Sequence, residues 1–376
     1  MANIEIGSHL KKVRKSLGLK LAEAAKKLGF PNYQTLKSIE DGGREIKAPE
    51  LLKFSKVYFV SISKLLGEKE IQLGNTFLWR KQPPLEKKKQ IEAEISYRCE
   101  QYNLLEKLLN LKVKRGRFLD VTMDDISSNS GVDKLSESIH RILALGSRPA
   151  FTLQKVLEQD FGVKILFEAI PDGSAVSTYS SEFGAVIVIN SNEAPWRRNY
   201  DLAHELFHLV TWKVISEKDL KDKSYFTDIE KKADRFASNL LLPENEINKE
   251  IEDRINMQDK FTNSDLIDIA QEFGVSTKAL LYRMANLRFI KWEDADKLAK
   301  DQEITEISRQ KRRHEWGEKP MSERFISLAV RCLRKGLISR GKFAEIVSID
   351  RCEIDDFIED TGLMEQEGTP IEIMAS

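Results

Sequence analysis

The stretch Leu202-Ala203-His204-Glu205-Leu206-Phe207-His208-Leu209-Val210 decides how this chain is read. It is apolar on nearly every side, which predicts a buried helix. Histidines at i and i+4 lie one turn apart on one helix face. Two imidazoles and a carboxylate are costly to bury unless something satisfies them. A metal ion does so. His204 and His208 are spaced to hold one Zn2+, with Glu205 between them as general acid and base. Two core histidines with a chance glutamate are the structural rival, and histidine is scarce here, 5 in 376 residues.

A hydrolytic zinc site needs a third protein ligand. Glu230-Lys231-Lys232-Ala233-Asp234 is the best source. It opens a predicted helix whose apolar face is Ile229, Ala233, Phe236, Ala237, Leu240 and Leu241. Glu230 is placed to bind the metal, and Asp234, one turn on, to accept a proton from a ligand imidazole and fix its tautomer. Thr227-Asp228-Ile229-Glu230 also has capping-box spacing, which would make Glu230 a helix cap.

Outward from this motif, Val163 to Ala169 and Ala185 to Asn190 read as strands, joined by a Gly/Ser-containing loop. The strand at 185–190 is expected to offer an edge to an extended substrate. Helices are expected over 151–161, 200–212 and 228–242, with two more in 264–290 and a helical tail over about 323–361. Cleavage would need an oxyanion donor, for which Tyr179, Tyr225 and Arg197 are the candidates.

Lys and Arg total 60, as do Asp and Glu, so a uniformly basic coat and an acidic tail protein are both excluded. Hydrophobic residues at 41% and charged residues at 32% fit a folded chain with a sizeable core. Cys99, Cys332 and Cys352 are too few and too far apart for a disulfide framework. Neither a bilayer-length apolar stretch nor a secretory signal is visible, so the expected location is the cytoplasm, with no membrane contact.

Neutrality breaks at the start. Residues 1–66 hold 13 Lys and Arg against 6 Asp and Glu, a net charge of +7. Five short helical patterns fit in this basic head, with turn chemistry at Gly29-Phe30-Pro31-Asn32 and Asp41-Gly42-Gly43. A basic, all-α head points to polyanion contact. After a connection over 67–85, a long charged helix is expected to about Arg115. Ile91, Ile95, Tyr102, Leu105 and Leu109 sit near heptad spacing, interrupted by Arg98. This allows a homodimeric coiled coil, although a spacer helix packed on its own chain is preferred.

Residues 150–290 resemble the ImmA/IrrE metallopeptidase family. The likeness rests on Ala185-Val186-Ile187-Val188-Ile189-Asn190, Arg197-Arg198, the segment 202–209, Glu230 to Ala237, and Leu240-Leu241-Leu242-Pro243. It implies a gluzincin-like fold and cleavage of a transcriptional repressor. It also implies His204, His208 and Glu230 as ligands and Glu205 as catalytic acid/base. Phe207 stands where many members have Gly, a change expected to alter packing and leave the ligands in place. Residues 1–66 resemble the XRE (lambda-repressor-like) helix-turn-helix family through Leu10 to Arg14, Leu21 to Gly29 and Ile39-Glu40-Asp41-Gly42. That likeness implies a third helix in the major groove, its first turn carrying Asn32, Tyr33, Gln34 and Lys37 to the bases. This sequence has one residue more than the usual pattern between Leu28-Gly29 and Ile39-Glu40.

The expected molecule is mainly α with a small β-sheet. It has a five-helix helix-turn-helix domain (1–70), a helical connector (71–147), an α+β gluzincin-like zinc peptidase domain (148–295) and a helical C-terminal region (296–376). The expected activity is that of a DNA-binding zinc metalloendopeptidase that cleaves a partner repressor or antitoxin. The alternative is a DNA-binding regulator or antitoxin-like protein whose metal domain only senses or binds a partner. An intact Glu205 favours the enzyme, because a sensor needs ligands but no acid/base.

Overall fold

In the computed structural model the described residues are 2–67, 77–79, 84–111, 120–171, 173–215, 222–258, 260–315 and 322–362. The expected connection at 67–85 lies mostly outside them. The chain opens with α1 (Ala2–Ser16), α2 (Leu21–Leu28), α3 (Tyr33–Glu40), α4 (Ala48–Tyr58) and α5 (Ile62–Leu65). Strand β1 (Phe77–Trp79) and helices α6 (Leu85–Leu108), α7 (Met123–Ser127), α8 (Asn129–Ile142) and α9 (Pro149–Gln159) follow. Strands β2 (Lys164–Glu168), β3 (Ala175–Ser180) and β4 (Gly184–Asn190) lead to α10 (Pro195–Val210) and α11 (Lys223–Leu241). Next come α12 (Glu244–Gln258), α13 (Asn263–Glu272), α14 (Thr277–Asn286), α15 (Trp292–Ala299) and α16 (Gln302–Lys311). The last helices are α17 (Glu323–Arg334), α18 (Arg340–Val347) and α19 (Ile354–Asp360).

These elements form two compact units. The first comprises Met1–Phe77, Gln82–Leu111 and Phe325–Ser376. Its head packs α1 to α5 around Leu10, Val13, Leu28, Leu36, Ile39, Phe54 and Leu65. Arg14 on α1 makes a buried fork with Glu40 on α3, Nε to Oε1 at 2.6 Å and Nη2 to Oε2 at 2.9 Å. Its Nη1 donates to the Leu19 carbonyl at 2.9 Å. Gly7 lets α1 approach α3, since a Cβ there would stand 2.5 Å from the Ile39 carbonyl oxygen. The preferred reading of α6 holds: Ile95, Cys99, Tyr102 and Leu105 are buried, and helices of the same chain cover them. The Tyr102 ring lies 5.0 Å from Phe325, and Cys332 Sγ donates to the Leu105 carbonyl. This face of α6 is therefore not available to a two-chain coiled coil.

The second unit comprises Leu78–Lys81 and Lys112–Arg324. Its sheet has the order β1–β3–β4–β2. β4 pairs parallel with β2, Ile165 opposite Ile187, and antiparallel with β3, Ser177 opposite Ile187. Two expectations are corrected here. The Gly/Ser-containing loop holds β3, whose Ala175, Val176, Ser177 and Thr178 are all buried. The run 185–190 is not an edge, because strands pair with it on both sides. Its uninterrupted apolar sequence is the mark of a central strand buried on both faces. Helices α8 to α11 share one core with the sheet, in which Phe207 packs on Phe236 at 5.6 Å. Phe207 thus fills core space and turns no polar group away from its partners.

Candidate metal centre

Two helices build the centre. Pro195 starts α10, where its missing N–H is no loss. The ten residues from Asp201 to Val210 are then buried. Asp222 caps α11 by accepting from the Ser224 and Tyr225 amides at 2.8 and 3.1 Å. The helix therefore begins at Lys223, two turns before Glu230. Thr227 donates its hydroxyl to the Lys223 carbonyl at 2.8 Å, so the Thr227–Glu230 capping box does not form.

α10 and α11 bring His204, His208 and Glu230 together, with their ligand atoms within 4.8 Å of one another. His204 Nε2 lies 3.4 Å from Glu230 Oε2 and His208 Nε2 lies 3.2 Å from Glu230 Oε1. The two Nε2 atoms are 3.2 Å apart. Asp234 Oδ1 stands 3.0 Å from His204 Nδ1 and fixes the proton there, which turns the Nε2 lone pair inward. Tyr200, one turn before His204, donates to the Asp234 carbonyl at 2.8 Å. Two imidazole nitrogens and a carboxylate converging from neighbouring helices fit a zinc ion, whose catalytic sites keep three protein ligands and one open position.

Glu205 is fully buried, and neither carboxylate oxygen has a hydrogen-bond partner among the described residues. Burial pushes its carboxyl pKa up, against the opposing pull of His208 and His204 and of the neighbouring Ser177 hydroxyl, which itself makes no hydrogen bond among the described residues. Burial alone would raise Glu230 too, but hydrogen bonds from His204 and His208 hold it well below the usual carboxylate range. Ser177 was not legible as a site residue, because it sits on the strand that reads as loop.

The oxyanion candidates stand differently. Arg197 is engaged by Asp201 Oδ2 at 3.2 Å and Ser174 Oγ at 3.4 Å. Tyr179 is exposed on β3 with its ring 6.4 Å from Trp212. The Tyr225 hydroxyl is buried.

In the head, Tyr33, Gln34 and Lys37 are exposed along the start of α3. Asn32 is the N-cap, its Oδ1 accepting from the Thr35 amide at 3.0 Å. The Thr35 hydroxyl donates to the same oxygen at 3.1 Å, so the acceptor end that a bidentate contact to adenine needs is already filled by the cap.

The family profile of the IrrE N-terminal-like domain matches residues 158–285, and a helix-turn-helix profile matches residues 10–65. No curated protein matches the chain. A solved Mycobacterium tuberculosis transcriptional regulator is similar at 16% identity and a TM-score of 0.32, over 49% of this chain and 52% of that one. This chain thus spans about half the length of that regulator. Among the described residues no helix is long and apolar enough to cross a membrane. Residues 10–65 are a helix-turn-helix DNA-binding domain and residues 158–285 an IrrE N-terminal-like, metallopeptidase-type domain, joined in one chain.

Proposed function

We propose that the chain is a DNA-binding zinc metalloendopeptidase that controls transcription by cutting a partner repressor or antitoxin. One observation carries this reading: a buried, partnerless Glu205 beside the cluster of His204, His208 and Glu230. In this proposal residues 1–70 read DNA and residues 148–295 cut protein. The three ligands would hold zinc, which supplies Lewis-acid activation of the scissile carbonyl and of water. Glu205 takes a proton from the attacking water and delivers it to the leaving amine. Its dry surroundings suit that work, because a carboxylate with no partner is a stronger base than one already hydrogen-bonded. Asp234 holds His204 in the tautomer that presents Nε2. Tyr33, Gln34 and Lys37 would meet the bases, with Asn32 fixing the start of their helix.

The reading is tested by measuring bound metal on the purified chain and incubating it with the repressors encoded beside its gene. One zinc per chain and a single new peptide terminus in a repressor are expected. A protein that holds no zinc at any pH from 6 to 8 would overturn the reading.

A further inference from the structure

Beside the metal centre lies an aromatic pair that the chemistry above does not use. Ser177 on β3 neighbours Glu205 on α10. Side chains alternate along a strand, so Tyr179 shares the face of Ser177, about 7 Å further on. Trp212 follows the end of α10, four residues after His208. The two rings meet at a centroid distance of 6.4 Å, with their planes tilted by 47°. Strand and helix therefore bring one ring each to the same flank of the centre, the flank on which α10 carries His208.

The pair is open. Tyr179 is 47% exposed, while the residues on either side of it, Thr178 and Ser180, are buried. Its cross-strand partner on β4 is Ala185, whose methyl covers little of a ring. Trp212 is half-buried and packs on the core of this unit, which fixes it as a backstop. Packing does not account for a large ring left uncovered on a strand that is otherwise buried. Tyrosine and tryptophan are the residues that most often anchor a partner's side chain, because they offer wide apolar faces with few rotatable bonds.

We propose that Tyr179 and Trp212 form the wall that receives a large apolar side chain of the substrate polypeptide beside the bond to be cut, and so select that bond. The inference rests on the reading of the metal centre given above. The Tyr179 ring makes the contact, and its hydroxyl is not needed. An aromatic or long aliphatic side chain gains by leaving water for the rings, whereas a charged one would lose hydration there.

Isothermal titration of the zinc-loaded full chain with three hydroxamates decides it. All three anchor on zinc through the same group and differ in what they carry beside it. Acetohydroxamate carries a methyl, 3-phenylpropanohydroxamate a phenethyl and N-hydroxysuccinamate a carboxyethyl group. The phenyl probe should bind about tenfold tighter than acetohydroxamate, the scale of burying part of one ring. The carboxylate probe should bind no tighter than acetohydroxamate. Tyr179→Ala should bring the ratio of phenyl to methyl affinity close to one, and Trp212→Ala should lower it. Tyr179→Phe keeps the ring and loses the hydroxyl, so it should preserve the ratio. A ratio taken within each variant cancels any change in the zinc anchor itself. Tyr179 is exposed, so its variants keep the test valid should Trp212→Ala misfold. Equal affinities for the phenyl and methyl probes, a ratio untouched by Tyr179→Ala, or tightest binding by the carboxylate probe would overturn the proposal. Failure of acetohydroxamate itself to bind would instead overturn the reading of the metal centre, and this inference with it.

Discussion

His204 Nδ1 and Asp234 Oδ1 face each other at 3.0 Å across α10 and α11. That contact decides which nitrogen of His204 is left for a metal. Loss of such an outer partner typically lowers metal affinity 10- to 100-fold. Asp234→Ala should therefore weaken zinc binding by about that factor, measured by competition with a chelator. His204→Ala and His208→Ala should lose stoichiometric zinc, and Glu230→Ala should weaken it strongly. Wild-type affinity in Glu230→Ala would mean that the third ligand lies elsewhere.

The Arg14–Glu40 fork should hold the head together. Removing one member of a buried pair leaves a charge without compensation and costs about 3–5 kcal/mol. Glu40→Ala should unfold the head at temperatures where the second unit stays folded. Scanning calorimetry of the full chain should then show a separate early transition, with DNA binding lost across it. An unchanged calorimetric trace would show that the pair adds nothing.

DNA binding should fall steeply as salt rises, because Lys and Arg release condensed counterions. Lys37→Ala should relax the preference at the base it meets, with a smaller loss of affinity for random DNA. Gln34→Ala should lower preference among sequences more than it lowers nonspecific affinity. Both effects are read from titrations on operator and random DNA at several salt concentrations.

Burial raises Glu158 on α9 to about 7, against the Ser322 hydroxyl, Gln154 and Arg324, which pull it down. The unfolded carboxyl ionises near the ordinary value of 4.5, while the folded one stays protonated to about 7. The folded state therefore binds more protons between these values, and stability falls as pH rises through that window. The full effect is on the order of 3 kcal/mol above pH 7. Glu158→Gln should flatten this fall, gaining stability over wild type at pH 8 and little at pH 5. Denaturant unfolding at the two pH values measures it.

Much of this was legible in the sequence. The helices of the head, α10 and α11 follow from apolar residues recurring at helical spacing. The His-x-x-x-His spacing by itself places two imidazoles on one helix face. β3 was not legible, because Ser177 and Thr178 are polar residues buried inside the sheet and Gly173-Ser174 reads as a turn. The start of α11 was misplaced because Thr227 resembles a cap, while Asp222 does the capping. The C-terminal helices had no readable partner. Their contacts join distant parts of the chain, as Tyr97 to Glu345 and Tyr102 to Phe325 show. Local periodicity carries no information at that separation.

The central claim is that Glu205 does chemistry and the metal is not merely a structural or sensing element. It is tested most directly by comparing Glu205→Gln with wild type for cleavage of the partner repressor, with zinc content measured on the same samples. Glu205→Gln keeps the size of the side chain and is no ligand, so zinc and DNA binding should persist. Cleavage should fall by at least about 100-fold, the scale of losing a general base, and the regulatory response in cells should be lost with it. Full regulation by Glu205→Gln alongside loss of regulation in His204→Ala would contradict the account and leave the metal a sensing element.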